Sequence, residues 1–279
     1  MVKNKVSIIT LTYNKLEEAT KPFIDYLFRE SNKFELIMVD NGSTDGTVEF
    51  LKQLEQKYDN VKVIYNSENL GFSKGCNQGI QIAQGEIIGL LNNDILFSSD
   101  WIEYILEVFG KEPEAGFVSP NCIEAFYNSR KFFEKKMSKI PDKLHYYSCT
   151  KPSFSCVFAK KEIFDKIGLF DENFTPAYFE DDDIVWRAMF GGFKNFVLSN
   201  IYFYHLGSVT GKMLPDLCEI FEKNKKYFFQ KYSDKPFVEC LWNDKSNFRV
   251  LRNELLKRKF QMKLAGLKSI WKDLNCNGI

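Results

Sequence analysis

Gly89-Leu90-Leu91-Asn92-Asn93-Asp94-Ile95-Leu96 is the stretch on which the reading of the chain turns. The apolar run from Ile87 to Leu91 passes without a charge into two amides and then one carboxylate. A strand buried on both faces of a parallel sheet has that pattern, and open α/β sheets bind ligands just beyond the carboxyl ends of their strands. Asp94 is then expected at the lip of a cleft, with Asn92 and Asn93 beside it. The competing reading of Asn-Asn-Asp is turn chemistry that merely closes a strand. What surrounds the stretch has to decide.

Upstream, strands and helices alternate. Val6 to Leu11 is continuous and rich in β-branched residues, a central strand. Leu16 to Arg29 shows apolar residues at 16, 23, 27 and 28, a helical face, and Pro22 predicts a kink or a start there. Phe34 to Val39 is the second strand. Thr44 or Asp45 can cap the helix that turns Val48, Leu51 and Leu54 inward. Val61 to Tyr65 is the third strand, and a helix from near Asn69 to Ala83, closed by Gly85, leads into the strand ending at Asp94. This alternation predicts a parallel sheet with right-handed crossovers.

Downstream, Trp101 to Phe109 reads as a helix, Phe117 to Pro120 and Ser153 to Ala159 as strands, and Lys161 to Ile167 as a short helix stopped by Gly168. Asn121 to Lys151 has no clear period and reads as an irregular lobe, of the kind that serves as a lid or binding surface. Ile201 to Tyr204 is a strand with His205 at its end, and Asp216 to Tyr232 is a helix. The fold class is α/β, a mostly parallel central sheet flanked by helices. The expected division is a nucleotide-sugar-binding and catalytic domain over 1–211 and a helical C-terminal extension over 212–279.

Composition excludes several classes. With 38 Lys and Arg against 37 Asp and Glu, the chain lacks the basic excess of a nucleic-acid binder. Its 27 Phe and 13 Tyr supply a substantial core. Seven Cys without a C-x-x-C pair predict reduced thiols and a cytoplasmic protein. The first apolar run is too short for a signal peptide, and no run has the length of a membrane span. No G-x-G-x-x-G follows the first strand, and Gly207-Ser208-Val209-Thr210-Gly211-Lys212 is one residue short of a phosphate loop.

Glu180-Asp181-Asp182-Asp183 sets four acids in a row before Ile184, Trp186 and Ala188, which continue as a helix. Acids are tolerated at a helix start by the macrodipole and its free amides. The functional alternative is that one of them is a general base held in the cleft. A lone His such as His205 is more often structural than a ligand, and His145 has no placement that points to a role.

These residues carry a resemblance to the family 2 glycosyltransferases, inverting enzymes of the glycosyltransferase A fold, and to their bacterial rhamnosyltransferase branch. It runs from Val6 to Gly211. Its motifs are Thr12-Tyr13-Asn14, the Asp40-Asn41-Gly42-Ser43-Thr44-Asp45-Gly46-Thr47 turn, Asn69-Leu70-Gly71-Phe72 and Leu91-Asn92-Asn93-Asp94. Gly168-Leu169-Phe170-Asp171-Glu172, Glu180-Asp181-Asp182-Asp183-Ile184 and His205-Leu206-Gly207-Ser208 follow in order.

The resemblance implies a donor that is a nucleoside-diphosphate sugar, with Asp40 accepting from the N3–H of uracil or thymine while Thr12 and Tyr13 line the nucleotide. It places Asn69, Gly71, Lys74 and Asn92 on the donor, and Glu180 and Trp186 beside a glycan or lipid-linked acceptor. Asp94 and His205 would hold Mg²⁺ or Mn²⁺, hard cations suited to carboxylate and phosphate oxygens. Asp181 would be the base. Asn92 departs from the family's D-x-D element, where the first residue is an acid, and leaves the metal site weaker or more reliant on His205. Within the acid run, Asp183 is expected to cap the helix.

Ser246 to Leu274 carries apolar residues at threes and fours with an excess of Lys and Arg. Such a helix can lie on the anionic inner face of a membrane, or pack on the protein with its lysines solvated. The rivals to a glycosyltransferase are a nucleotidyltransferase, which would want a Gly-rich basic loop after the first strand, and an inactive binding module, which would need no base.

Overall fold

The computed structural model describes residues 6–30, 34–97, 101–124, 143–207 and 216–234. The chain divides into two compact units, Met1–Pro215 and Asp216–Ile279. The first is built on β1 (Val6–Thr12), β2 (Glu35–Asp40), β3 (Val61–Tyr65) and β4 (Ile87–Leu91). They lie in the order β3-β2-β1-β4 and are all parallel. Helices α1 (Lys21–Glu30), α2 (Thr47–Lys57) and α3 (Gly71–Ile82) connect them.

Successive strand residues point to opposite faces, so the strands feed two apolar layers. Ile8, Leu36 and Met38 meet Phe23 and Leu27 of α1 and Leu51 and Leu54 of α2. Ile9, Ile37 and Val39 meet Ile80 of α3 on the other side. Strands covered on both faces need unbroken apolar runs, and Val6–Ile9 and Ile87–Leu91 supply them but for Ser7. The approach of α3 to β1 depends on Gly79, where a Cβ would meet Ile9 at 2.4 Å.

Pro22 does mark a boundary. Leu16–Thr20 form one π-helical turn that runs directly into α1 at Lys21, so the proline, which has no N–H to give, sits where the helical period changes. Asp45 serves two starts at once. One oxygen accepts from the amide and hydroxyl of Thr47 (3.2 and 2.6 Å), the other from the amide of Leu16 (3.0 Å).

Beyond β4 the sheet becomes mixed. β5 (Ile95–Phe97), α4 (Trp101–Lys111), β6 (Ala115–Glu124), β7 (Tyr146–Cys149), β8 (Cys156–Lys160), α5 (Glu162–Ile167), α6 (Glu180–Phe190) and β9 (Lys194–His205) complete the unit. The order continues β4-β8-β6-β9-β5, with β7 also paired to β9. The register of β9 matters most for the site: His205 stands opposite Ile95 of β5 on one edge and opposite Glu124 of β6 on the other.

β6 runs to Glu124 rather than stopping at Pro120, because a register shift at Pro120/Asn121 lets pairing resume past the proline. β5 and β7 are too short to show a period in the sequence. Within the expected irregular lobe, Asn121–Glu124 and Tyr146–Cys149 are strand, and residues 125–142 lie outside the described residues. The near-phosphate-loop residues past Gly207 and the basic Ser246–Leu274 segment also lie outside them. Among the described residues Cys76, Cys122, Cys149 and Cys156 are free thiols.

In the second unit α7 (Leu217–Lys231) is an amphipathic helix with Phe228 buried and its ring 5.0 Å from that of Tyr232. Among the described residues no helix is long and apolar enough to cross a membrane.

Candidate active site

A cavity of about 420 Å³ opens at the carboxyl ends of β1 and β4. Of the residues singled out in the sequence, Thr12, Tyr13, Asn69, Gly71, Asn92, Asp94, Glu180 and Asp181 line it. Asp94 follows the end of β4, as the apolar run into Asn-Asn-Asp implies. Gly71 opens α3 with a positive φ of 82°, and a Cβ there would meet the Pro176 carbonyl at 2.9 Å. That contact presses the 168–176 segment against α3, where Asn77 bonds both the amide and the carbonyl of Phe170 (2.9 and 3.0 Å).

Asp40 lies beneath the wall rather than in it. It is fully buried, one carboxylate oxygen accepting from the Thr12 hydroxyl (3.1 Å) and the other from the amides of Gly42 and Ser43 (3.1 and 3.0 Å). It thereby builds the turn that brings Asn41 into the lining. Lys74 and Trp186 do not line the cavity. Phe72 and Cys76 of α3 do, and at about 100° per residue Lys74 points away from both, into solvent. The same phase turns Trp186 away from Glu180 and Asp181, edge-on to Phe190 at 5.9 Å.

His205 approaches from behind Asp94. Its Nε2 is buried and lies at ion-pair distance, 3.3 Å, from Asp94 Oδ1, without an aligned hydrogen bond. On the other side of the ring, Nδ1 lies 3.0 Å from Glu124 Oε2. Burial lowers the His205 pKa, but Asp94 and Glu124 outweigh it and raise the value to about 10.

These residues fit a divalent cation. With Nδ1–H donating to Glu124, the Nε2 lone pair and the Asp94 carboxylate are two acceptors face to face, which a cation satisfies together. Binding would displace the proton that the two acids now favour. On the Nδ1 side of the ring Cys122 donates its thiol to Glu124 (3.1 Å), and one ligand atom each from Cys122, Glu124 and His205 lie within 4.8 Å of one another; burial keeps that thiol protonated, so the group supports the imidazole rather than adding to the Asp94 side. Sequence reading misses Cys122 and Glu124. Their i, i+2 spacing was the available signal, hidden because β6 was expected to end at Pro120.

The acid run divides by environment. Tyr178 and Phe179 take left-handed backbone angles (φ 76° and 70°) and turn the chain into α6. Glu180 is 8 % exposed with Oε2 unpartnered, and burial, then the charge of Asp181, push its pKa well above the ordinary carboxylate range. Asp181 accepts from the Asp182 amide (2.9 Å) and pairs with Lys151 at 3.2 Å. Asp182 lies 2.6 Å from the same lysine; burial and Asp181 raise its pKa to about 6 even so. Asp183 is fully buried. It reaches forward to Arg187 (2.9 Å to Nε), whose NH2 bonds the Leu169 carbonyl. Lys151, missed in the sequence reading, also lines the cavity.

A glycosyltransferase A fold with its acids gathered at this sheet edge defines the class. The chain belongs to glycosyl transferase family 2, whose model matches residues 7–168. It is 33% identical over 100 residues to glycosyltransferase AglE of Haloferax volcanii, a match covering 35% of this chain and 33% of AglE. In fold it is similar to a mannosyltransferase from Pyrobaculum calidifontis solved with GDP-Man and Mn²⁺: TM-score 0.56, 18% identity, 75% of this chain and 59% of that one. It is also similar to GalNAc-T7 solved with UDP, GalNAc and Mn²⁺: TM-score 0.63, 15% identity, 91% of this chain and 54% of that one. This chain thus spans about a third of AglE and little more than half of either solved structure.

Proposed function

We propose that this protein is an inverting glycosyltransferase, moving a sugar from a dTDP- or UDP-linked donor to a hydroxyl of a glycan or lipid-linked acceptor. dTDP-rhamnose is the donor that the rhamnosyltransferase resemblance favours. The observation that carries the reading is that Asp94, from the end of β4, and Asp181, from the first turn of α6, line one cavity with Thr12, Tyr13, Asn69 and Gly71. Family membership agrees with it.

In this reading Thr12 and Tyr13 hold the nucleoside, and Asp40 selects its base through the turn it organises. Asn69, Gly71 and Asn92 face the donor phosphates and sugar. Asp94 and His205 would hold Mg²⁺ or Mn²⁺, which would neutralise charge on the departing diphosphate. Glu180 holds the acceptor. Asp181 takes the proton of the acceptor hydroxyl as its oxygen bonds to the anomeric carbon and the bond from that carbon to the phosphate oxygen breaks. One displacement inverts the anomeric configuration. Catalysis is assigned to residues 1–211. The extension over 212–279 is assigned to peripheral contact with an anionic membrane at its cytoplasmic face, which deletion of Ser246–Leu274 should abolish in liposome co-sedimentation.

The test is a thermal-shift panel of UDP, dTDP, GDP and ADP with Mn²⁺, followed by transfer assays with the sugars of whichever nucleotide binds. UDP or dTDP should stabilise most, and NMR of the product should show inversion. A retained configuration, or GDP binding as well as UDP, would sink the corresponding assignment.

A further inference from the structure

Among the described residues, Lys151 is the one cation lining the cavity. It sits just before β8, its side chain 47% exposed, with its ammonium bridging Asp182 (2.6 Å) and Asp181 (3.2 Å). The lysine's own end of each pair is in contact with water, so its side chain keeps a choice of rotamers. Yet this placement works against a base, because both Asp181 oxygens are already engaged, one by the Asp182 amide and the other by the ammonium. The cavity must also receive a diphosphate, and the other charged side chains lining it, Asp94, Glu180 and Asp181, are all acids.

We propose, on the functional reading above, that Lys151 is a shared cation: it neutralises Asp181 and Asp182 before the donor arrives, then turns to the diphosphate of the bound nucleotide sugar and frees Asp181 to act as base. The donor would then bind before the acceptor's proton can be taken. The groups facing Asp181 are Glu180, Asp182 and Lys151, with the Tyr178 hydroxyl near Glu180. Once Lys151 leaves, three acids face one another, and Asp182 and Glu180 lose the ammonium that favours their ionised forms.

That sign can be measured. Asp182 titrates at about 6 with Lys151 in place, so at a pH of about 6.5 loss of the cation draws a proton from solution. Calorimetry of UDP, dTDP and GDP, each with saturating Mn²⁺ and in two buffers of different ionisation enthalpy, reads that uptake directly. Wild type should take up protons on binding. Lys151→Met should bind about tenfold more weakly, the scale of one charge-assisted hydrogen bond, and show no uptake. Lys151→Arg should restore both.

The absence of uptake in the wild type, or unchanged uptake in Lys151→Met, would overturn the shared-cation proposal while leaving the functional reading standing. Wild type that binds none of the three nucleotides would overturn the functional reading and this proposal with it.

Discussion

Glu35 and Glu180 are both sealed from water, one at each end of the parallel strands, and their surroundings treat them in opposite ways. Glu35, at the amino end of β2, is 5 % exposed and accepts from the Ser7 hydroxyl, the Gln84 amide (2.8 Å) and the Lys62 ammonium (2.7 Å). Burial alone would raise its pKa, but those bonds outweigh it and hold the value below the ordinary 4.5. Glu180, at the carboxyl ends, keeps an unpartnered oxygen, and its pKa is raised. A buried carboxylate given enough donors is a structural part. One left short of donors beside other acids, in a cavity, is a group held ready for something else to bind.

The largest effect should come from the under-satisfied end. Asp181→Asn keeps size but loses basicity, so turnover should fall by about a hundredfold or more, with nucleotide binding and melting temperature nearly unchanged. Asp182→Asn should cost far less. Near-normal transfer by Asp181→Asn, with Asp182→Asn dead, would move the base by one residue.

At the satisfied end the expectation reverses. Glu35→Ala leaves Lys62, Ser7 and the Gln84 amide without their acceptor and should cost about 1–3 kcal/mol of stability in denaturant melts. Activity per folded molecule should stay the same, and a fall in turnover would break the contrast between the two ends.

Glu124→Gln sharpens the comparison in the middle of the sheet. It keeps a hydrogen bond to His205 Nδ1 but removes the charge, and should raise the metal concentration for half-maximal activity by about tenfold. Equilibrium dialysis of Mn²⁺ would show the same shift without turnover. Full activity in EDTA would mean that Asp94 and His205 hold no required metal.

The smallest effect is a pair of opposite pH slopes. Glu35 is depressed in the fold, so its contribution is complete above its unfolded value of 4.5 and is lost as pH falls through the folded pKa. Glu180 is raised, so the fold binds its proton more tightly than the unfolded chain does, and stability falls as pH climbs from 4.5 toward the folded pKa. Glu180→Gln should remove the second slope and leave the first. Parallel slopes in both proteins would show that the two acids are not treated differently.

Much of this was legible in the chain order. The β1–β4 alternation, the place of Asp94 and the helix begun by Glu180 follow from local patterns, because a parallel strand is written as an apolar run and its carboxyl end as the polar residues just after it. Helical phase, also local, would have removed Lys74 and Trp186 from the site. Asp183 reads as a cap in sequence; its bond to Arg187 one turn on came into view only with the Ile167–Leu169 carbonyls that hold the guanidinium.

The sequence by itself determined where the acids stand along the chain and which strand ends carry them. Tertiary structure alone decided their company. Glu124, His205 and Asp94 meet because β9 pairs with β6 on one edge and β5 on the other, and Lys151 reaches Asp181 and Asp182 from a loop before β8. Pairing register between distant strands leaves no periodic mark in a sequence, since it is set by which apolar faces must be covered together. The partners that decide whether an acid is structural or reactive therefore come into view only once the sheet has closed.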